Sequence, residues 1–172
     1  MEEAEHRAAA CRARIVTAFS AAVVMSALAA SPARAQETQQ AGVAAAVVSP
    51  AVVSGEPRPE RLPVRSGMEM FLRDEITTGA DARLQILLLD ETTFTLGPES
   101  EVTIDRFVFD PDSGTGELAA EVTKGIMRYV SGSVGKNNPD NVTLETPAAT
   151  LGIRGTALFV AAVPDRPDTY FA

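Results

Sequence analysis

The sequence predicts an all-β fold of short strands, solenoid-like or sandwich-like, with little helix apart from an amino-terminal export segment. Three observations point there. After Gly67, apolar-alternating runs are separated by Gly, Asp, Asn and Pro at intervals of about ten residues, the spacing of a sandwich, barrel or solenoid. Within the runs apolar residues alternate with polar ones, as in Arg83–Leu89, where Leu84, Ile86 and Leu88 share one face. No run carries a long 3.6-residue apolar stripe, and glycines at 79, 97, 114, 116, 125, 132 and 135 break helices of useful length.

The first residues read as an export signal. Arg7, Arg12 and Arg14 precede an apolar run from Ile15 to Ala30, which SPARAQ follows. A signal h-region needs roughly 7–15 apolar residues and a small-residue cleavage site, whereas a spanning helix needs about twenty. Ala33 and Ala35 form an A-x-A pattern, so cleavage is expected between Ala35 and Gln36, with an uncleaved anchor as the alternative. No twin arginine is present, so the Sec route is expected. The mature protein is thereby expected in the periplasm or outside the cell.

Removal of residues 1–35 takes with it the one histidine, His6, and the one cysteine, Cys11. The remainder has no residue for a disulfide, a Cys/His zinc site, a thiol nucleophile or a histidine-based triad. It keeps 11 bases against 20 acids, and an acidic chain repels phosphate backbones, so nucleic acid is not an expected partner. No cofactor or metal is expected, and the protein is read as non-catalytic.

Residues 36–65 are rich in Ala, Val and Pro and read as a linker or edge segment, since Pro50, Pro57, Pro59 and Pro63 forbid a helix or a central strand at those points. Gly42–Val53 has the valines for one or two short strands. Residues 66–172 read as the β domain. Further strands are expected at Thr93–Leu96, Val102–Ile104, Phe107–Phe109, Leu118–Val122, Ile126–Val130, Val142–Leu144 and Ala157–Val163. Asp110–Gly116 has the composition of a tight hairpin turn, and Lys136–Asn141 is a second loop.

Four segments carry a resemblance. They are Ile76-Thr77-Thr78-Gly79 with Ala82-Arg83 after it; Leu89-Asp90-Glu91-Thr92-Thr93-Phe94-Thr95-Leu96-Gly97-Pro98-Glu99-Ser100; Lys124-Gly125-Ile126-Met127-Arg128 with Ser131-Gly132; and Thr146-Pro147-Ala148-Ala149-Thr150-Leu151-Gly152-Ile153-Arg154-Gly155-Thr156. Together they resemble the FecR domain of bacterial periplasmic proteins, from about Gly67 through Thr156. The resemblance implies an extracytoplasmic β domain of short strands. In signalling members this domain relays occupancy of an outer-membrane transporter to a cytoplasmic sigma factor. Such members have a sigma-binding helical segment ahead of a membrane helix, and fourteen residues before the apolar run are too few for one. Glu91 stands where the family pattern has Gly, so it is expected to take the left-handed region or a different turn. The chain stops at Tyr170-Phe171-Ala172, where such a domain continues, so a fragment or shortened variant is expected.

Candidate functional residues come mainly from the last segment: Arg154, Thr146, Pro147, Gly152, Gly155 and Thr156, with Arg128, as structural or partner-contact positions. Arg154, between apolar neighbours and glycines, is expected to bury and to pair with Asp90, Asp105 or Glu145, and Arg128 to do the same. Asp110, Asp112 and Glu121 imitate part of a calcium-binding loop, but Gly114 and Thr115 stand where the loop requires a ligand and a Gly, which favours a plain hairpin turn. The carboxylate pairs Glu99/Glu101 and Asp90/Glu91 have glycosidase spacing in principle but lack the aromatic platforms of a sugar cleft. The expected role is binding of a protein or cell-surface polymer partner through an exposed strand edge or loop, and an edge left bare at the carboxyl-terminal end, around Ala157–Val163, could accept a partner strand. The alternatives are a regulator of sigma-factor signalling linked to iron uptake, and a repeat unit of a larger surface protein. Membrane contact is expected only where the amino-terminal segment stays uncleaved.

Overall fold

The computed structural model describes residues 39–56, 58–163 and 170–171. The expected signal segment lies outside them. The elements in order are β1 (Gln40–Val48), β2 (Ala51–Gly55), β3 (Arg58–Pro63), β4 (Glu69–Phe71), β5 (Asp74–Thr78), β6 (Arg83–Leu88), β7 (Thr93–Leu96), β8 (Glu101–Asp110) and β9 (Thr115–Val130). A short helix α1 (Ser133–Asn137) and a 3-10 turn (Pro139–Asn141) follow, then β10 (Val142–Glu145), β11 (Thr150–Gly152), β12 (Ala157–Ala162) and β13 (Tyr170–Phe171). The fold is all-β, as the alternation predicts. It is a curled half-barrel sheet, antiparallel except where β10 runs parallel to β9.

The curl originates in β9, which serves two leaves. Its first half pairs with β8 and β10, its second half with β7 and β12. The second leaf continues from β7 to β6, β1 and β4; the first continues from β8 to β5, β2 and β3. A one-residue irregularity makes this division. Val122 pairs with Val102 and Lys124 with Glu101, so Thr123 is extra. A single inserted residue exchanges the faces of everything after it. Leu118, Ala120 and Val122 are therefore buried before it, and Met127 and Tyr129 after it. Gly125 adopts φ +91°, and a Cβ there would lie 2.4 Å from Ser100 Cα. The crease is closed by hydroxyls. Ser100 Oγ accepts from Ile126 N (2.9 Å) and donates to Ile126 O (3.0 Å), and Thr78 Oγ1 accepts from Ser100 N (2.8 Å).

Most strands sit where the sequence places them. Leu84, Ile86, Leu88, Phe94, Leu96, Val102 and Ile104 are buried, and Phe94 and Tyr129 meet with ring centroids 6.0 Å apart. Glu91 does take the left-handed region, at φ 69°. The segment expected as a linker or edge supplies three strands. β3, with Pro59 and Pro63, is indeed outermost, but β1 lies inside the sheet between β4 and β6. Alanine's poor strand propensity yields here to packing. Ala41 and Ala44 are fully buried, and a Cβ on Gly42 would lie 2.2 Å from Leu87 O, so only small residues fit this approach. Asp74, fully buried, accepts from Phe71 N at 2.8 Å and lies 3.8 Å from Arg58, tying β3 to β4 and β5.

Candidate functional site

The most motif-like segment folds into an exposed strand, loop and strand at one end of the sheet. β10 and β11 form a hairpin whose turn is closed by Thr146: its N–H donates to Ala149 O (2.9 Å), and its hydroxyl oxygen accepts from Ala149 N (3.1 Å). Pro147 tops that turn in solvent. Thr150–Gly152 pairs with β10 alone among the described strands, so β11 is an edge. Ile153 is the inward anchor, 5% exposed. The loop beyond it is fastened to the end of β9, since Ser131 Oγ donates to Gly155 O (2.7 Å) and Ser131 N to Thr156 O (2.9 Å). Thr156 and Gly155 are otherwise exposed.

Arg154 differs from the expectation of burial. Ile153 occupies the inward position, so alternation sends Arg154 outward, where it meets Asp140 through Nε (3.1 Å) and Nη2 (2.8 Å) with 79% of its side chain exposed. The carboxylates expected as its partners are placed elsewhere. Asp90 is fully buried and accepts from Thr92 N (2.9 Å), Thr92 Oγ1 (2.7 Å) and Val134 N (3.2 Å). Asp105 and Glu145 are exposed together on the outer side of the first leaf, where burial and then the Glu145 charge raise the Asp105 pKa above its usual value. Arg128 is also exposed and stacks over Phe159 at 5.6 Å instead of pairing with a buried acid.

Two open hollows meet at Arg154. One, of about 500 Å³, includes the charged Lys136 and Asp140. The other, of about 430 Å³, is lined by Leu151, Ile153, Ala157 and Leu158. Gly152 and Gly155 border them, and a Cβ on either would meet nothing within 4 Å. Gly132 is the opposite case, where a Cβ would lie 2.2 Å from Thr92 N and 2.3 Å from Asp90 O. The fold thus requires Gly132 to be glycine, whereas nothing in the described chain requires it at 152 or 155.

The calcium-like pattern is not assembled. Asp110 is the first residue of the β8–β9 turn, with its carboxylate accepting from Ser113 Oγ (2.8 Å) and Asp112 N (3.0 Å), bonds that lower its pKa. Glu121 pairs with Thr103, six residues along the hairpin from Thr115 and so about 20 Å away. Among the described residues no group of three or more His, Cys, Asp or Glu is placed to hold a metal ion. Glu99 and Glu101 border a hollow of about 160 Å³ beside Lys124. The Glu101 pKa is raised by burial first and by Glu75 second. No helix among the described residues is long and apolar enough to cross a membrane.

β12, expected to offer a bare edge, pairs with β9 on one side and is met on the other by β13 at Val160 and Ala161. The strand edge beside the two hollows is instead β11. These features define a class: a curled all-β domain that displays a glycine-containing loop and an open strand edge at one end. A family model described as FecR protein matches residues 74–169, more than half of the chain, and the chain belongs to the FecR family. That family is linked to sigma-factor signalling. No curated protein and no solved structure matches the chain.

Proposed function

We propose that the chain is an exported, non-catalytic FecR domain that binds a protein or cell-surface polymer outside the cytoplasm, with the segment from Thr146 to Leu158 as its contact. One observation carries this reading: Gly152 and Gly155 face open space beside the half-buried Leu151 and Leu158. Glycines that the described residues do not require, next to an incompletely covered apolar hollow and a strand edge unpaired among the described strands, suit a partner whose backbone approaches closely or adds as a strand. Arg154 borders both hollows, where it can orient an acidic group of the partner.

Photo-crosslinking in the native host tests the contact. A photoreactive side chain at Gly155 should yield a specific adduct, and the same group at Ser113, in the β8–β9 turn, should not. Equal adducts from both, or none from Gly155, would reject this end as the binding site. A regulator of sigma-factor signalling is the second reading, favoured by the family itself. It requires that the adduct be a transporter or a membrane regulator instead of a surface polymer.

A further inference from the structure

The edge strand β11 differs from β3 and β4, which also lie at margins of the sheet. β3 carries Pro59 and Pro63, which lack a donor, and charges at Arg58, Glu60 and Arg61. Prolines and charges keep an edge from recruiting another strand. On β4 the Glu69 carbonyl is already taken, by Arg58 Nη2. β11 reads Thr150-Leu151-Gly152, with neither proline nor charge, and among the described strands it pairs with β10 alone.

The register determines which main-chain groups β11 presents. Thr143 faces Gly152, Leu144 faces Leu151 and Glu145 faces Thr150. Thr146 N donates to Ala149 O (2.9 Å) and Ile153 N to Val142 O (3.4 Å), so the pairs at both ends of this ladder are hydrogen-bonded ones. Antiparallel pairs alternate, which makes Leu144/Leu151 a bonded pair and turns the N–H and C=O of Thr150 and Gly152 away from β10. Side chains alternate as well. Leu151 shares the inner side with the buried Leu144 and Ile153. Leu158 faces the buried Tyr129 across β9 and β12, so it lies on the inner side too. Leu151 and Leu158 both line the hollow of about 430 Å³.

Resting on the reading of Thr146–Leu158 as the contact, we propose that the ligand is an extended peptide lying along β11 as one further strand. It bonds to the main chain at Thr150 and Gly152, and the apolar side chain it places opposite Leu151 enters the hollow between Leu151 and Leu158. The outward groups of Thr150 and Gly152 stand about 7 Å apart, the repeat of alternate residues in a strand. A peptide backbone carries N–H and C=O at that repeat, and a sugar chain does not, which selects peptide over surface polymer. The β11 of a second copy offers a single large apolar side chain, Leu151, and that already lines its own hollow. A separate strand brings alternate side chains that are free to enter.

Random peptides displayed on phage and panned on the full chain supply the probe. A selected peptide, labelled and titrated by fluorescence anisotropy, should lose about tenfold in affinity when N-methylated at alternate residues and little when methylated at the residues between, because one parity alone donates to β11. Gly152→Pro removes the outward N–H without touching the β10 ladder, and should weaken the same peptide about tenfold. The methylated peptides keep the test independent of how well that variant folds. The proposal fails if panning returns no binder, if affinity ignores the parity of methylation, or if natively folded Gly152→Pro binds as before. It fails too if sedimentation shows a concentration-dependent dimer that Gly152→Pro abolishes, since a second copy then occupies the edge. The crosslink at Gly155 separates this inference from the reading beneath it. An adduct that Gly152→Pro leaves unchanged rejects the added strand and keeps the contact site, whereas the absence of any adduct rejects both.

Discussion

Replacing Asp90 by alanine tests how the two leaves are held at one end. Its carboxylate is fully buried and accepts three hydrogen bonds, from Thr92 N, Thr92 Oγ1 and Val134 N, joining the β6–β7 turn to the first residues of α1. Alanine leaves two backbone N–H groups buried without acceptors, at about 1–3 kcal/mol each, while the Thr92 hydroxyl can rotate away. Set against the recovered cost of burying a charge, the net loss is about 3 kcal/mol. That is a large part of the roughly 5–15 kcal/mol that stabilises a domain, and it corresponds to about 10 °C in Tm at this size. The main-chain bond from Ser133 N to Asp90 O (2.7 Å) survives the substitution, so the measurement isolates the side chain. Asp90→Asn keeps one acceptor oxygen and should lose about half as much. Urea unfolding followed by far-ultraviolet circular dichroism gives both values. A loss below about 0.5 kcal/mol for alanine, or equal losses for alanine and asparagine, would refute the reasoning.

Other substitutions separate residues the fold needs from residues it only displays. Gly125→Ala should destabilise by about 2–4 kcal/mol, because its positive φ and the Ser100 backbone 2.4 Å from the new Cβ both oppose it. Gly152→Ala and Gly155→Ala should leave the Tm within about 2 °C, since open space surrounds both, yet reduce partner binding at this edge. Arg154→Ala should change stability by less than about 0.5 kcal/mol, since its ion pair with Asp140 is in solvent, and a loss of several kcal/mol would contradict its exposed placement. Thermal stability should rise as the pH falls from neutral into the range where carboxylates with raised pKa values take up protons. Asp74, Glu101 and Asp105 all have raised pKa values, with burial as the leading cause. A carboxylate that binds its proton more readily folded than unfolded penalises the fold above its folded pKa and releases that penalty as it protonates. Asp110, lowered by its hydrogen bonds, acts in the opposite sense but is fully in solvent. Falling net charge acts in the same direction as the raised groups, so the discriminating variant is Glu101→Gln, which should flatten the profile. An unchanged slope there would show that Glu101 does not contribute.

Much of the architecture was written locally. Alternation in Arg83–Leu88, Thr93–Leu96 and Glu101–Ile104 determined both the strands and their buried faces, because a period of two depends only on neighbouring residues. The Asp110–Gly116 turn and the left-handed Glu91 were legible for the same reason. The segment from Thr146 to Thr156 marked the family by itself. What only the tertiary structure decided is which side of a two-sided pattern faces in, and which partners meet. Ile126-Met127-Arg128-Tyr129-Val130 offers apolar residues at both parities, and the extra Thr123 settled the choice by sending Met127 and Tyr129 inward and leaving Ile126 outward. Arg154 read as a buried ion because its neighbours are apolar or glycine, but long-range pairing placed Ile153 inward, committed Asp90 to Thr92 and Val134, and left Asp140 for the arginine. Alanine-rich β1 looked too weak to be an interior strand until the close approach of Gly42 to Leu87 showed why small residues are needed there. Sequence alone thus determined the β fold and the family, which rest on local periodicity and motif. The exposed strand edge and the hollows beside it became visible only once distant strands were set side by side, because they are assembled from separate segments of the chain.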